Sequence, residues 1–315
     1  MFRFLMLALT AIGLGLVSAP PVQAQLGGLI KRLAPEVKLP NLIEGKPPIT
    51  TSITDAVYED PSRDGFDPGE PMDLASLPLD DEGRFVLAEG YYAMTAQTYC
   101  IKAGTYGPSS GSGYLYGPLE GPQKDAVETI LRRSVELNDI PQRDIQVLLW
   151  AIIARAKFED LSREKQVTAA RLLSQRQLAS LNRNAIDVLT NRQVMGLIGG
   201  VPEPVGQVLR AEADMRRMLR GGSSYRDLER VAVLSGMAPI GEGSREVPPN
   251  RWSLHPDGYW VRYDASTYRR TRVEIYVAPD SDGVGAKYDP AVSVAVPGNT
   301  SRQRLAQSAR VAMER

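Results

Sequence analysis

Two side chains in this sequence are of types that react with each other. Cys100, the sole cysteine, ends a run of aromatic and β-branched residues, and Gln146 stands 46 positions later at the head of an apolar stretch. A thiol and a carboxamide can condense, with loss of ammonia, into an internal thioester, which is an acyl group ready for attack by a nucleophile. The bond requires contact between the two side chains and exclusion of water, because an exposed thioester is hydrolysed before it meets an amine. The elements around each residue therefore decide whether this chemistry is available.

Phe85–Leu87, Gly90–Met94 and Thr98–Ile101 are rich in β-branched and aromatic residues, which predicts one or two strands, the last ending near Cys100. The glycine- and serine-rich run Gly104–Gly113 predicts a flexible loop beside the cysteine. It lacks the Gly-Lys-Ser/Thr ending of a phosphate-binding loop, and no helix follows at once. Pro122 opens a helix to about Leu137, with Ala126, Val127, Ile130, Leu131 and Val135 at helical spacing. Asp139 as N-cap and Gln142 at the capping-box position predict a second helix through Ala154. Every residue from Val147 to Ala154 is apolar, so this helix is expected to be buried all round. Gln146, Trp150 and Ile153 share one of its faces. A buried amide without partners costs roughly 1–3 kcal/mol, so Gln146 needs either a hydrogen-bonded neighbour, the commoner use of a buried glutamine, or a covalent fate.

Leu161–Leu197 has a broken apolar stripe among Arg, Gln and Asn, the pattern of a surface helical layer or helix pair, and shorter helices are predicted at 206–220 and 225–234. Arg216, Arg217 and Arg220 read as a solvated helix end. From Trp252 the pattern turns to alternation, with Tyr259–Tyr263 and Arg272–Val277 as an antiparallel pair across Asp264–Arg270. The organisation expected is a signal peptide at 1–24, an irregular Pro/Gly-rich lead-in at 25–83, a main domain at 84–247, a small β-rich module at 248–297 and a polar tail, helical or loose, at 298–315. The fold class is α+β: a helical central layer packed on a small β unit that contains Cys100, followed by the C-terminal β-rich module.

With 43 % hydrophobic and 23 % charged residues, the 315-residue chain has the composition of a globular protein. Lys+Arg and Asp+Glu are 37 each, so no global field draws it to nucleic acid or an anionic membrane. Arg3, the apolar run Phe4–Val17 and the small-x-small pattern Val22-Gln23-Ala24 predict a cleaved export signal with no membrane anchor left after cleavage. Export leaves a lone cysteine without a disulfide partner in an oxidising compartment, where it must be buried, paired with another chain, reactive or already consumed. His255, the sole histidine, lies in a turn sequence. One histidine and one cysteine are too few for a structural zinc site, and a Cys100–His255 nucleophile pair would mark a hydrolase. Asp60, Asp64 and Asp67, and Asp280, Asp282 and Asp289, read as turns rather than cation loops. The sequence calls for no cofactor and no metal.

Tyr99-Cys100-Ile101, with a proline at 108, resembles the cysteine motif of bacterial thioester-domain surface proteins, and Ile145-Gln146-Val147-Leu148-Leu149-Trp150 is similar to their glutamine motif. The likeness covers about residues 99–153. It departs at Ile145, where a small hydroxyl residue is usual, at Leu148, where alanine is usual, and in showing no cell-wall sorting signal. The resemblance implies that Cys100 supplies the sulfur and Gln146 the acyl carbon, that Trp150 shapes the pocket, and that the partner is a protein or glycan at a cell surface, attached in a single turnover. The alternative is a non-enzymatic envelope protein, structural or concerned with assembly, in which Cys100 is a small buried hydrophobe.

Overall fold

The computed structural model describes residues 46–312 apart from 110, 200, 202 and 204. They belong to one unit, Gly45–Arg315. The expected signal peptide and the first part of the lead-in lie outside the described residues.

In chain order the strands are β1 (Met72–Asp73), β2 (Phe85–Val86), β3 (Gly90–Cys100), β4 (Thr105–Tyr106), β5 (Tyr114–Pro118), β6 (Val233–Leu234), β7 (Ser253–Leu254), β8 (Trp260–Thr267), β9 (Arg270–Val277), β10 (Lys287–Tyr288), β11 (Ser293–Pro297) and β12 (Leu305–Val311). The helices are α1 (Lys124–Glu136), α2 (Gln142–Ile153), α3 (Arg163–Leu172), α4 (Gln175–Arg183), α5 (Asn191–Ile198), α6 (Val205–Arg220) and α7 (Tyr225–Ala232). The class is α+β. Among the described residues no helix is long and apolar enough to cross a membrane.

The main sheet runs β5-β11-β12-β3-β9-β8-β7, antiparallel along that path, with β1 parallel to β3. The backbone N–H of Tyr116 in β5 donates to Ser253 Oγ in β7 at 3.1 Å, so the outermost strands meet and the sheet curls nearly into a barrel. The C-terminal strands are thus built into the same sheet as Cys100: β9 pairs with β3 from Gly90↔Val277 to Gln97↔Arg270. The segment expected as a loose or helical tail carries β12, which lies between β11 and β3. Its composition hid it, because Gln307 and Ser308 are polar yet buried. Two of their atoms have partners, Tyr288 Oη donating to Gln307 Oε1 at 2.7 Å and Ser308 Oγ donating to the Gln97 carbonyl at 3.5 Å, while Gln307 Nε2 is buried without one.

Helix α2 packs against β3 on one side and against α1, α3, α6 and α7 on others, which is why Asp144 to Ile153 are all buried. Its start differs from expectation. Pro141 is the N-cap, its fixed φ setting the helix entry. Asp139 instead grips Arg171 of α3 through two bonds at 2.8 and 2.9 Å, and Gln142 reaches the sheet. The long helical stretch at 161–197 breaks into α3, α4 and α5, because Ser174–Gln177 and Thr190–Gln193 each form a capping box that restarts the chain. Arg216, expected in solvent, is 1 % exposed and donates to the carbonyl of Ala154, the C-cap of α2, at 2.6 Å. It answers the negative end of that helix.

Candidate functional site

Cys100 is the last residue of β3. On one side its strand is occupied by β12, with Cys100 opposite Leu305. On the other side the β8–β9 hairpin is turning away: Gln97↔Arg270 is its last register pair with β3, and Arg269 still accepts from Thr98 N–H at 3.0 Å. Two residues further, on the same edge, Cys100 has no strand to pair with. The carboxamide of Gln146 takes that place. Its Oε1 accepts from Cys100 N–H at 2.8 Å and its Nε2 donates to Cys100 C=O at 2.9 Å, both bonds buried. One helix side chain completes the ladder where the strand has ended. Gln142, one turn earlier on α2, donates to the carbonyls of Thr98 and Arg269 at 3.1 and 2.8 Å and fixes the helix against the same edge.

The fold therefore brings Cys100 and Gln146 together, and Trp150 with them. Cys100 is 0 % and Gln146 2 % exposed. Burial pushes the Cys100 thiol up to about 11, outweighing the smaller pull toward thiolate from Trp150, the Lys102 backbone and Gln303, so at neutral pH the sulfur carries its proton. That proton points to the carbonyl of Lys102, 3.4 Å from Sγ. The indole N–H of Trp150 forms no hydrogen bond of good geometry, although the indole lies close enough to favour the thiolate. Its ring stacks on Tyr225 of α7 at 5.4 Å.

The first residues of the run expected as a flexible loop are held by backbone bonds. Thr105–Tyr106 forms β4 beside β6, and Tyr106 exchanges backbone bonds with Ser301 and Gln303. Gly104 has φ +68°, and a Cβ there would stand 2.7 Å from Ala211 of α6, so only glycine allows this approach.

Several residues around the pair carry no local sequence signal. Lys102 and Glu212 are desolvated although each keeps some exposed surface. Burial lowers the Lys102 amine to about 7, and it raises the Glu212 carboxyl to about 7 against the opposing pull of Arg216, Arg155 and Lys102. A cleft of about 410 Å³ opens beside Gln146, lined in part by Thr98, Gln142, Tyr225, Tyr268 and Arg269. On its wall Tyr225 and Tyr268 share a hydrogen bond at 2.6 Å, Tyr268 donates to Glu229, and Arg269 pairs with the same carboxylate at 2.5 Å. The hairpin turn supplies Tyr268 and Arg269, and α7 supplies Tyr225 and Glu229, so only the tertiary arrangement reveals the cluster.

His255 stands apart from Cys100. Its Nδ1 accepts from Asp257 N–H at 3.1 Å, which leaves the proton on Nε2, facing Tyr116 Oη at 3.1 Å, and its ring stacks on Tyr259. Burial lowers the imidazole to about 4, against a small opposing effect of Asp257. The histidine that a Cys–His hydrolase would need is engaged elsewhere. Asp60 and Asp67 accept from backbone N–H groups two residues on, and Asp64 binds Arg251. Asp289 accepts from Ala291 N–H and binds Arg132. Among the described residues no cluster of His, Cys, Asp and Glu could hold a metal. Comparison of the chain with models of protein families, with curated proteins and with solved structures finds no match.

Proposed function

We propose that this chain is an exported envelope or surface protein that condenses Cys100 with Gln146 into an internal thioester and uses the bond once, to attach itself covalently to a nucleophile on a protein or glycan at a cell surface. The observation that carries the reading is the seating of the Gln146 carboxamide on the backbone of Cys100, with both residues out of water. The Cys100 N–H bound to Oε1 withdraws charge from the amide carbonyl, the polarisation that attack by sulfur requires. The sulfur bonds to Cδ of Gln146, the C–N bond breaks, and the thiol proton leaves on Nε2 as ammonia. Burial then protects the product from hydrolysis, and the resemblance of residues 99–153 to thioester-domain motifs supports the same assignment.

A second reading is favoured by the completeness of the same bonds. Gln146 satisfies both backbone groups of Cys100, and the thiol has the Lys102 carbonyl, so the pair also serves as a structural lock in an envelope protein without covalent chemistry. Methylamine treatment followed by peptide mapping separates the two. The thioester reading expects methylamide on the Gln146 peptide together with release of one titratable thiol at Cys100. An unmodified Gln146 peptide, with Cys100 titratable in the denatured protein before treatment, leaves the structural lock.

A further inference from the structure

We propose that the cleft beside Gln146 is the acceptor site of the thioester and that it takes a hydroxyl of a carbohydrate ring. This rests on the thioester reading and adds the class of group that opens the bond.

Gln146 is 2 % exposed and lines the cleft, so the acyl carbon is approached through what occupies that space. A volume of about 410 Å³ suits one small ring. Its walls include two tyrosines, and Tyr225 is held rigid by its stack on Trp150. Aromatic walls with hydroxyl and guanidinium groups at the rim suit a ring that has apolar faces and polar edges.

Charge on the cleft lining argues against an ammonium. Arg143 and Arg269 both line the cleft. Glu229 is already paired with Arg269, and Asp144, 3.8 Å from Arg143, is taken by Lys165 at 2.5 Å. The lining carries two arginines and no carboxylate, so an approaching cation is disfavoured while a neutral hydroxyl is not.

The hydrogen-bonded chain on the cleft wall supplies what a hydroxyl needs and a neutral amine does not. An amine attacks a thioester unaided, whereas a hydroxyl is a poor nucleophile until its proton is taken. Tyr225 Oη lies 2.6 Å from Tyr268 Oη, and Tyr268 is bonded to Glu229. As the acceptor oxygen bonds to Cδ of Gln146, its proton passes to Tyr225, that of Tyr225 to Tyr268, and that of Tyr268 to Glu229. The C–S bond breaks, Cys100 leaves as thiolate and regains the proton, and the products are an ester and a free thiol.

The test incubates the protein, after export processing, with methyl glucoside and with methylamine in separate arms and reads intact mass, for the wild type, Tyr268→Phe and Glu229→Gln. The ammonia deficit before either probe is added shows in each variant that the core has folded and the thioester has formed. The expected result is a glucoside adduct in the wild type and a ratio of glucoside to methylamine adduct that falls about a hundredfold in the variants. Reaction with methylamine but not glucoside, water addition alone in the glucoside arm, or an unchanged ratio in the variants overturns the acceptor assignment and leaves the thioester standing. A full mass before any probe overturns the thioester, and this proposal with it.

Discussion

Gln146 sits where the sheet runs out of strand, and that position explains why a buried amide is tolerated in an otherwise apolar helix. Its two bonds to Cys100 replace those that β9 would have made. In a Cys100→Ser background, where the amide is retained, truncating it leaves a buried N–H and a buried C=O unpaired, so Gln146→Ala should lower unfolding free energy by about 2–4 kcal/mol in urea denaturation. A loss under about 0.5 kcal/mol would show that water or a shifted backbone replaces the amide. At this scale the sequence was informative about identity and silent about geometry. Cys100, Gln146 and Trp150 could be picked out by residue type, spacing and motif, but the backbone bonds of Gln146 depend on where β9 stops, which is a property of strand register between residues 173 positions apart. Tyr225, Tyr268 and Glu229 were not legible for the same reason.

At the scale of elements, α2 is held by its ends as well as its faces. Gln142 ties its first turn to the β8–β9 hairpin, and Arg216 of α6 answers its last carbonyl. Its apolar run was readable because all-round burial needs all-round apolar residues. Its N-cap was not, since Asp139 satisfies the same local pattern yet is drawn to Arg171. Strand β12 was missed because its buried polar residues are indistinguishable from surface ones until their partners are known. The contact between β5 and β7 that nearly closes the sheet includes His255 against Tyr116. Because the folded protein holds this imidazole neutral, lowered from 6.5 to about 4 chiefly by burial, its contribution to stability is present above pH 6.5 and is lost as pH falls from 6.5 through 4. The loss is up to about 3 kcal/mol. The sole histidine gives one imidazole Hε1 signal to follow in a proton NMR titration. Its midpoint is expected near 4, and a midpoint near 6.5 would mean that the ring is solvated and does not join the strands.

At the scale of the molecule, a nearly closed antiparallel sheet carries the cysteine at the end of one central strand, and a helical layer delivers the glutamine to it. The balance of 37 basic and 37 acidic residues gives the molecule no global field, so any charge selectivity is local. The α+β class followed from periodicity alone, because helical and alternating patterns occupy separate stretches of the chain. The union of the N-terminal and C-terminal strands in one sheet was not readable, since pairing partners leave no local trace. Cys100 and Gln146 meet through this long-range arrangement, and what remains to be measured is the bond. The intact mass of the purified protein, read against its own determined N-terminus and beside that of Cys100→Ser, decides it. The thioester predicts a wild-type mass short by one ammonia and no deficit in the variant. A full-length mass with one titratable thiol in the wild type would contradict it and leave Gln146 as a structural partner of the Cys100 backbone.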